Sequence, residues 1–193
     1  MSYIYIVPIE TTTAGWLKPL EECILNTFGL KTKCITYDID LEKAFDPTRY
    51  QYNSSQILLQ LITRPPEDAL KVLGVAAVDL FIPILTYVFG EAQLDGTGAV
   101  VSLHRLNNKY YGLPENSRLL SERMVKEAVH ELGHTFGLIH CNHPQCVLSS
   151  STYVEDVDQK SSELCPYCRH HLEVIQHRQP GTETQESGSI VRR

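Results

Sequence analysis

The run His130-Glu131-Leu132-Gly133-His134 puts two imidazoles and a carboxylate within five residues. On a helix, positions four apart share a face, so His130 and His134 can aim their nitrogens at one point. That spacing suits zinc, which takes imidazole nitrogen at about 2.1 Å. Gly137 follows His134 by three residues, and His140 follows Gly137 by three. A glycine there lets the chain turn through positive φ and swing His140 back as a third ligand. Three neutral histidines leave one tetrahedral position open for water, which marks a catalytic rather than a structural site. Glu131 sits beside the metal and suits the general base, taking a proton from an acidified water as it attacks a polarised carbonyl. With this chain's His and Glu frequencies, a bare His-Glu-x-x-His arises by chance in roughly one such chain in 40. Requiring Gly137 and His140 lowers that to on the order of one in 10,000, so the longer motif carries the argument.

A second set follows directly. Cys141 and Cys146 form C-x4-C, and Cys165 and Cys168 form C-x2-C. Four thiolates in two close pairs are what a tetrahedral structural zinc requires, with Zn–S near 2.3 Å. Residues 142–163 between the pairs have few aliphatic side chains and cannot close on their own burial, so a metal can supply the closure. Two disulfides are the rival, disfavoured where thiols stay reduced. Cys165-Pro166-Tyr167-Cys168 also resembles a redox dithiol, but it lies near the end of the chain with two further cysteines to pair with. Cys23 and Cys34 stand apart and are expected to be buried packing residues. His143, His170, His171 and His177 crowd the cysteines and are read as solvated or capping; His104 is given no role. Tyr153 is a candidate hydrogen-bond donor to a developing oxyanion. Phe89–Gln93 is a candidate edge strand for an extended peptide.

These residues need a scaffold. The chain has 193 residues, 42% of them apolar and 21% charged, which is one domain's worth with a real core. Lys+Arg 17 against Asp+Glu 23 gives a net charge of -6. That fits poorly with phosphate-backbone binding, despite a local basic patch at Arg169, His170, His171 and Arg178. The N-terminus has no basic region followed by a small-residue cleavage site, so no secretory signal is read there. Val72–Gly90 is apolar enough to raise a membrane span, but Asp79 and Pro83 argue for two buried strands separated near Pro83. The expected protein is soluble, cytoplasmic and monomeric, with a peptide as substrate and neither nucleic acid nor membrane as partner.

Strands are expected at Tyr3–Val7, Lys33–Asp38, Gly74–Phe81, Tyr87–Leu94 and Ala99–Leu106, with Asp95-Gly96-Thr97-Gly98 as a hairpin loop. Helices are expected at Trp16–Phe28, capped by Thr13 or Gly15, and at Ser54–Thr63, Ser117–Phe136 and Pro166–Arg178. The stretches Ser149–Ser151 and Glu155–Ser162 read as loops, and Gln179–Arg193 as a disordered tail. Strands alternating with helices ahead of a metal-rich end predict an α/β domain over residues 1–178. Its upper part and site helix would span 1–137, and a small irregular lobe 138–178.

With HELGHTFGLIHC joined to NHPQC and then CPYC, the sequence closely resembles the archaemetzincins, a branch of the metzincin metallopeptidases. The resemblance covers nearly all of Met1–Arg178. It implies a compact metzincin-like domain with a twisted mixed sheet over an active-site helix. It also implies two zinc ions, a catalytic one on His130, His134 and His140 and a structural one on the four cysteines, with Glu131 as general base. The implied activity is zinc-dependent hydrolysis of peptide bonds, aminopeptidase-like on short peptides; the alternative is a zinc-stabilised binding module with a vestigial site. One position departs from the family pattern. Leu148 stands where a methionine is expected two residues after Cys146, and the chain's methionines are Met1 and Met124. Leucine has similar volume and can support the imidazoles by packing alone.

Overall fold

The computed structural model describes residues 2–177. The tail expected at Gln179–Arg193, and Arg178 of the last helix and basic patch, lie outside the described residues. The strands are β1 (Tyr3–Ile9), β2 (Thr32–Cys34), β3 (Phe45–Asp46), β4 (Gln51–Asn53), β5 (Ala69–Ala76), β6 (Leu80–Phe81), β7 (Gly90–Ala92) and β8 (Gly98–Ser102). The helices are α1 (Leu17–Phe28), α2 (Ser54–Thr63), α3 (Ser117–Thr135), α4 (Val154–Gln159) and α5 (Pro166–His177).

The main sheet has the order β2-β1-β5-β8-β7. Its first four strands run parallel, with Ile6 opposite Leu73 and Leu73 opposite Ala99. The edge strand β7 runs antiparallel to β8, Gly90 facing Val101, which makes the sheet mixed. A small sheet of order β3-β4-β6 stands beside it. Parallel strands are buried on both faces, and the period of two divides their side chains between two cores. Ile4, Ile6, Leu73, Val75, Ala99 and Val101 face α1 and α3, packing with Leu20, Ile24, Met124, Ala128 and Leu132. Tyr5, Val7, Ile9, Val72 and Val100 face α2 through Ile57 and Leu61. Each fully buried aliphatic side chain contributes about 1.5–3 kcal/mol, so the sheet holds α3, which carries His130 and His134, from the middle of the larger core. The observed architecture is the mixed α/β arrangement that the sequence predicts.

Several boundaries move. The expected strand at 74–81 is two strands, β5 starting earlier at Ala69, with an added break at 77–79; the expected separation around Pro83 is present between β6 and β7. Asp79 leaves the ladder because its carboxylate is bound by Arg105, at 2.7 and 2.8 Å. The strand expected at 87–94 shrinks to β7; residues 82–88 form a wall whose carbonyls at Leu85 and Thr86 accept from Arg49. The strand at 33–38 pairs only over β2, and Cys34 is exposed rather than buried, because β2 is a sheet edge. Neither Thr13 nor Gly15 caps α1 with a side chain; Trp16 holds the N-cap position and the Thr13 carbonyl accepts from Leu17. The polar stretch at 155–162 contains α4, which Val154 and Val157 bury against α3. Among the described residues no helix is long and apolar enough to cross a membrane.

Candidate metal centres and cleft

The helix α3 positions His130, Glu131 and His134, and it ends where Gly137 adopts φ +86°. An L side chain is strained in that conformation, so glycine there permits the reversal that returns His140. The three rings meet with centroids 4.7 to 5.2 Å apart. His130 Nε2 and His134 Nε2 are 3.1 Å apart, and one ligand atom from each of the three histidines lies within 4.8 Å of the others. Two nitrogens on a tetrahedral zinc at about 2.1 Å would be roughly 3.4 Å apart, so the donor set fits the ion. The rings are also oriented for it. The Nδ1 atom of His130 is 2.8 Å from the Val147 carbonyl and that of His134 is 2.7 Å from the Leu138 carbonyl. A carbonyl can only accept, so Nδ1 carries the proton and Nε2 keeps its lone pair for a cation. Burial lowers the pKa of both histidines, that of His130 strongly with help from the nearby Lys160 ammonium, and keeps them neutral.

Glu131 is buried in the same cleft, and its carboxyl is held well above the usual carboxylate range by burial first and by Glu127 second. Gly90 of β7 packs directly on it: a Cβ at position 90 would lie 2.7 Å from Glu131 Oε1. The cleft has a volume of about 340 Å³. Its walls are the 85–90 segment on one side and Ser150, Ser151 and Thr152 on the other, with His130, Glu131, His140 and Glu127 along the base. Tyr87 bridges the walls, donating its hydroxyl to the Thr152 carbonyl at 2.7 Å. Arg105 stacks 4.1 Å above the Tyr87 ring while it holds Asp79.

Tyr153, expected to face the cleft, is 64% exposed. Its backbone N–H, with that of Thr152, opens α4 by donating to Asp156 at 2.8 Å, which leaves the phenol on the surface. Leu148 is fully buried beneath α3; a Cβ at Gly133 would meet it at 2.8 Å. The leucine therefore fills the space under the histidine turn by packing.

The four cysteines also converge, their sulfurs lying within 4.8 Å of one another and three of them on buried residues. Cys141 Sγ and Cys165 Sγ are 3.8 Å apart, and all four thiols are free, so the disulfide alternative does not hold. A tetrahedral zinc with Zn–S of about 2.3 Å spaces its sulfurs about 3.8 Å apart, which this set matches. Backbone N–H groups of His143 and Cys165 reach Cys141 Sγ and Cys146 Sγ at 3.4 Å. Burial opposes ionisation of Cys165, yet hydrogen bonds led by the Cys168 backbone bring it down to about 7. Burial and the neighbouring thiols push Cys168 up. Four crowded thiolates cannot coexist without a cation between them.

Peptidase family M54 matches residues 40–174. The chain belongs to that family, the archaemetzincins. It is 41% identical over 170 residues to the archaemetzincin of Methanocaldococcus jannaschii, covering 88% of this chain and 92% of that one. The crystal structure of archaemetzincin from Methanopyrus kandleri superposes with a TM-score of 0.82 at 34% identity, over 92% of this chain and 96% of that one. A zinc-dependent peptidase from Methanocorpusculum labreanum superposes with a TM-score of 0.77 at 30% identity, over 88% and 99%. Membership makes this archaemetzincin a zinc metallopeptidase, a hydrolase. Two features of its cleft escaped the sequence. Lys160, buried at the far end of α4, makes an ion pair with Glu127 at 2.8 Å. No motif marks either residue; the one available signal was that Glu127 lies a helical turn before Glu131, on the same face.

Proposed function

We propose that this archaemetzincin hydrolyses peptide bonds with a zinc ion on His130, His134 and His140, Glu131 acting as general base. A second zinc on Cys141, Cys146, Cys165 and Cys168 serves structure alone. The observation that carries the reading is the convergence of three neutral imidazoles beside a buried carboxylate in one cleft. The ion supplies a Lewis acid that polarises the scissile carbonyl and acidifies a water. The remaining work falls to the chain. Glu131 takes the proton of the attacking water and passes it to the leaving amine; its raised proton affinity suits both halves of that transfer. Edge strand β7 offers its outer backbone to an extended substrate and lays the scissile bond along α3. The reading extends to aminopeptidase-like action on short peptides.

Glu131→Gln tests the assignment against a quenched peptide library, with zinc per chain measured alongside. Turnover falls by about 10²–10⁴-fold with zinc content unchanged. Undiminished hydrolysis in that variant would remove Glu131 from the mechanism. Absence of any turnover by the zinc-loaded parent protein would favour the binding-module reading instead. Acetylating the N-terminus of a cleaved peptide separates aminopeptidase from endopeptidase action.

A further inference from the structure

The Tyr87 hydroxyl donates to the Thr152 carbonyl at 2.7 Å, from one wall of the cleft to the other. The phenol is held for that span. The Arg105 guanidinium lies 4.1 Å from its ring centroid, and the Phe89 ring stands edge-on at 5.5 Å. Arg105 is itself locked by two hydrogen bonds to Asp79, to which Gln51 also donates at 2.9 Å. A bidentate pair of that kind keeps a planar guanidinium in one orientation. Two elements locate the bridge along the cleft. Gly90 of β7 packs on Glu131, and Asp95 beyond β7 donates its N–H to the His134 carbonyl at 2.9 Å, so β7 runs toward the C-terminal end of α3. Tyr87 precedes Gly90 by three residues and therefore lies toward the N-terminal half of α3. Its neighbours agree. The carbonyl of Leu106, next to Arg105, accepts from Arg123 at 2.9 Å, and Arg123 also holds Asp158 of α4. Three strand residues span about 10 Å, and the rise along α3 from Arg123 to Glu131 is about 12 Å.

We infer that the Tyr87–Thr152 bridge is a bar that closes this end of the cleft. Tyr87 is then a specificity-determining residue, confining cleavage to within about three residues of a substrate terminus. An extended chain advances about 3.3 Å per residue, so about three residues fill the roughly 10–12 Å between Glu131 and the bar. A longer segment has to break the bridge, displace the ring from Arg105 or leave the β7 edge. In the opposite direction the cleft reaches His140, which is exposed, and the remaining length of the substrate leaves on that side. The inference deepens the peptidase reading of this cleft and rests on it.

The test reads binding and cleavage separately. Phosphinic pseudopeptides carry a zinc-binding phosphinate in place of the scissile bond. They are lengthened one alanine at a time, in one series on the amino side and in the other on the carboxyl side, and titrated calorimetrically into the zinc-loaded protein. In one series affinity falls by about ten-fold once the added segment exceeds about three residues, while in the other it holds or rises. Tyr87→Ala removes the bar and abolishes the fall. Tyr87→Phe keeps the ring against Arg105 and loses only the hydrogen bond, so it reports even where the alanine variant does not fold; it narrows the fall several-fold. Equal tolerance of long segments in both series by the parent protein overturns the bar, as does a fall that Tyr87→Phe leaves undiminished. Products of a long peptide are mapped alongside. The length limit without any hydrolysis would keep the bar and sink the peptidase reading. Cuts by the parent protein far from both ends would do the reverse.

Discussion

The histidine cluster and the cysteine cluster begin on neighbouring residues, His140 and Cys141, yet they are opposite in kind. The histidines run from buried at His130 to exposed at His140 and open on a cleft. Three of the four cysteines are buried, among Leu164, Leu172 and Val147. Three donors leave a direction free for a reactant, whereas four close the shell. The closed set also serves the open one. The Cys141 N–H donates to the Leu148 carbonyl at 2.9 Å, and the Leu148 side chain rests under Gly133 between the two helix histidines. What fastens the sulfurs therefore fixes the return of the chain at His140.

That dependence should run one way. Cys168→Ser is expected to lose the sulfur-bound zinc and weaken zinc at the histidines. It should also cost several kcal/mol, on the order of 10 °C in Tm. His134→Ala should lose the histidine-bound zinc alone and leave the cysteine lobe folded. Zinc per chain and calorimetric unfolding of the two variants check the asymmetry; a Cys168→Ser protein retaining two zinc ions would break it.

Leu148 sharpens the comparison, because it joins the two centres by packing and carries no donor. Leu148→Ala should cost about 2–5 kcal/mol and lower zinc affinity at the histidines, whereas Leu148→Met should change stability by less than about 1.5 kcal/mol. Denaturant titration of both variants decides whether volume or sulfur matters beneath the site.

The smallest effect expected is at α4. Asp156 accepts from Thr152 and Tyr153, and these backbone hydrogen bonds, that from Tyr153 foremost, hold its carboxyl below the usual range. Asp156→Ala should cost roughly 1 kcal/mol. A depressed folded-state value means this contribution is complete above the ordinary Asp value near 4 and lost as pH falls through the lower folded one. Amide exchange at residues 152–157 should therefore quicken only in strong acid, and in Asp156→Ala at every pH.

Local patterns were legible where one residue type carries one physical demand. Ser54–Thr63 was legible to its ends because Pro65-Pro66 stops it; the structure adds the start, where the Asn53 side chain accepts from the Gln56 N–H. The turn at Gly137 was legible because few other residues accept its φ. Strand lengths were not: β7 and β2 are cut short by what their neighbours leave unpaired. Polar α4 was missed because its two valines are too few for a periodic signal. Tyr153 was misplaced because backbone capping, invisible in residue type, turns the phenol outward.

The sequence by itself determined the two donor sets, the helix and glycine that bring the histidines together, and the α/β class. Each follows from short-range spacing, which a helix or a tight turn converts directly into geometry. Only the tertiary structure decided that Leu148 fills the space under the site and that Lys160 balances Glu127. Those relations join residues 15 to 33 positions apart along the chain. Their distances are set by how α3, α4 and the sheet pack, and no local rule fixes that packing.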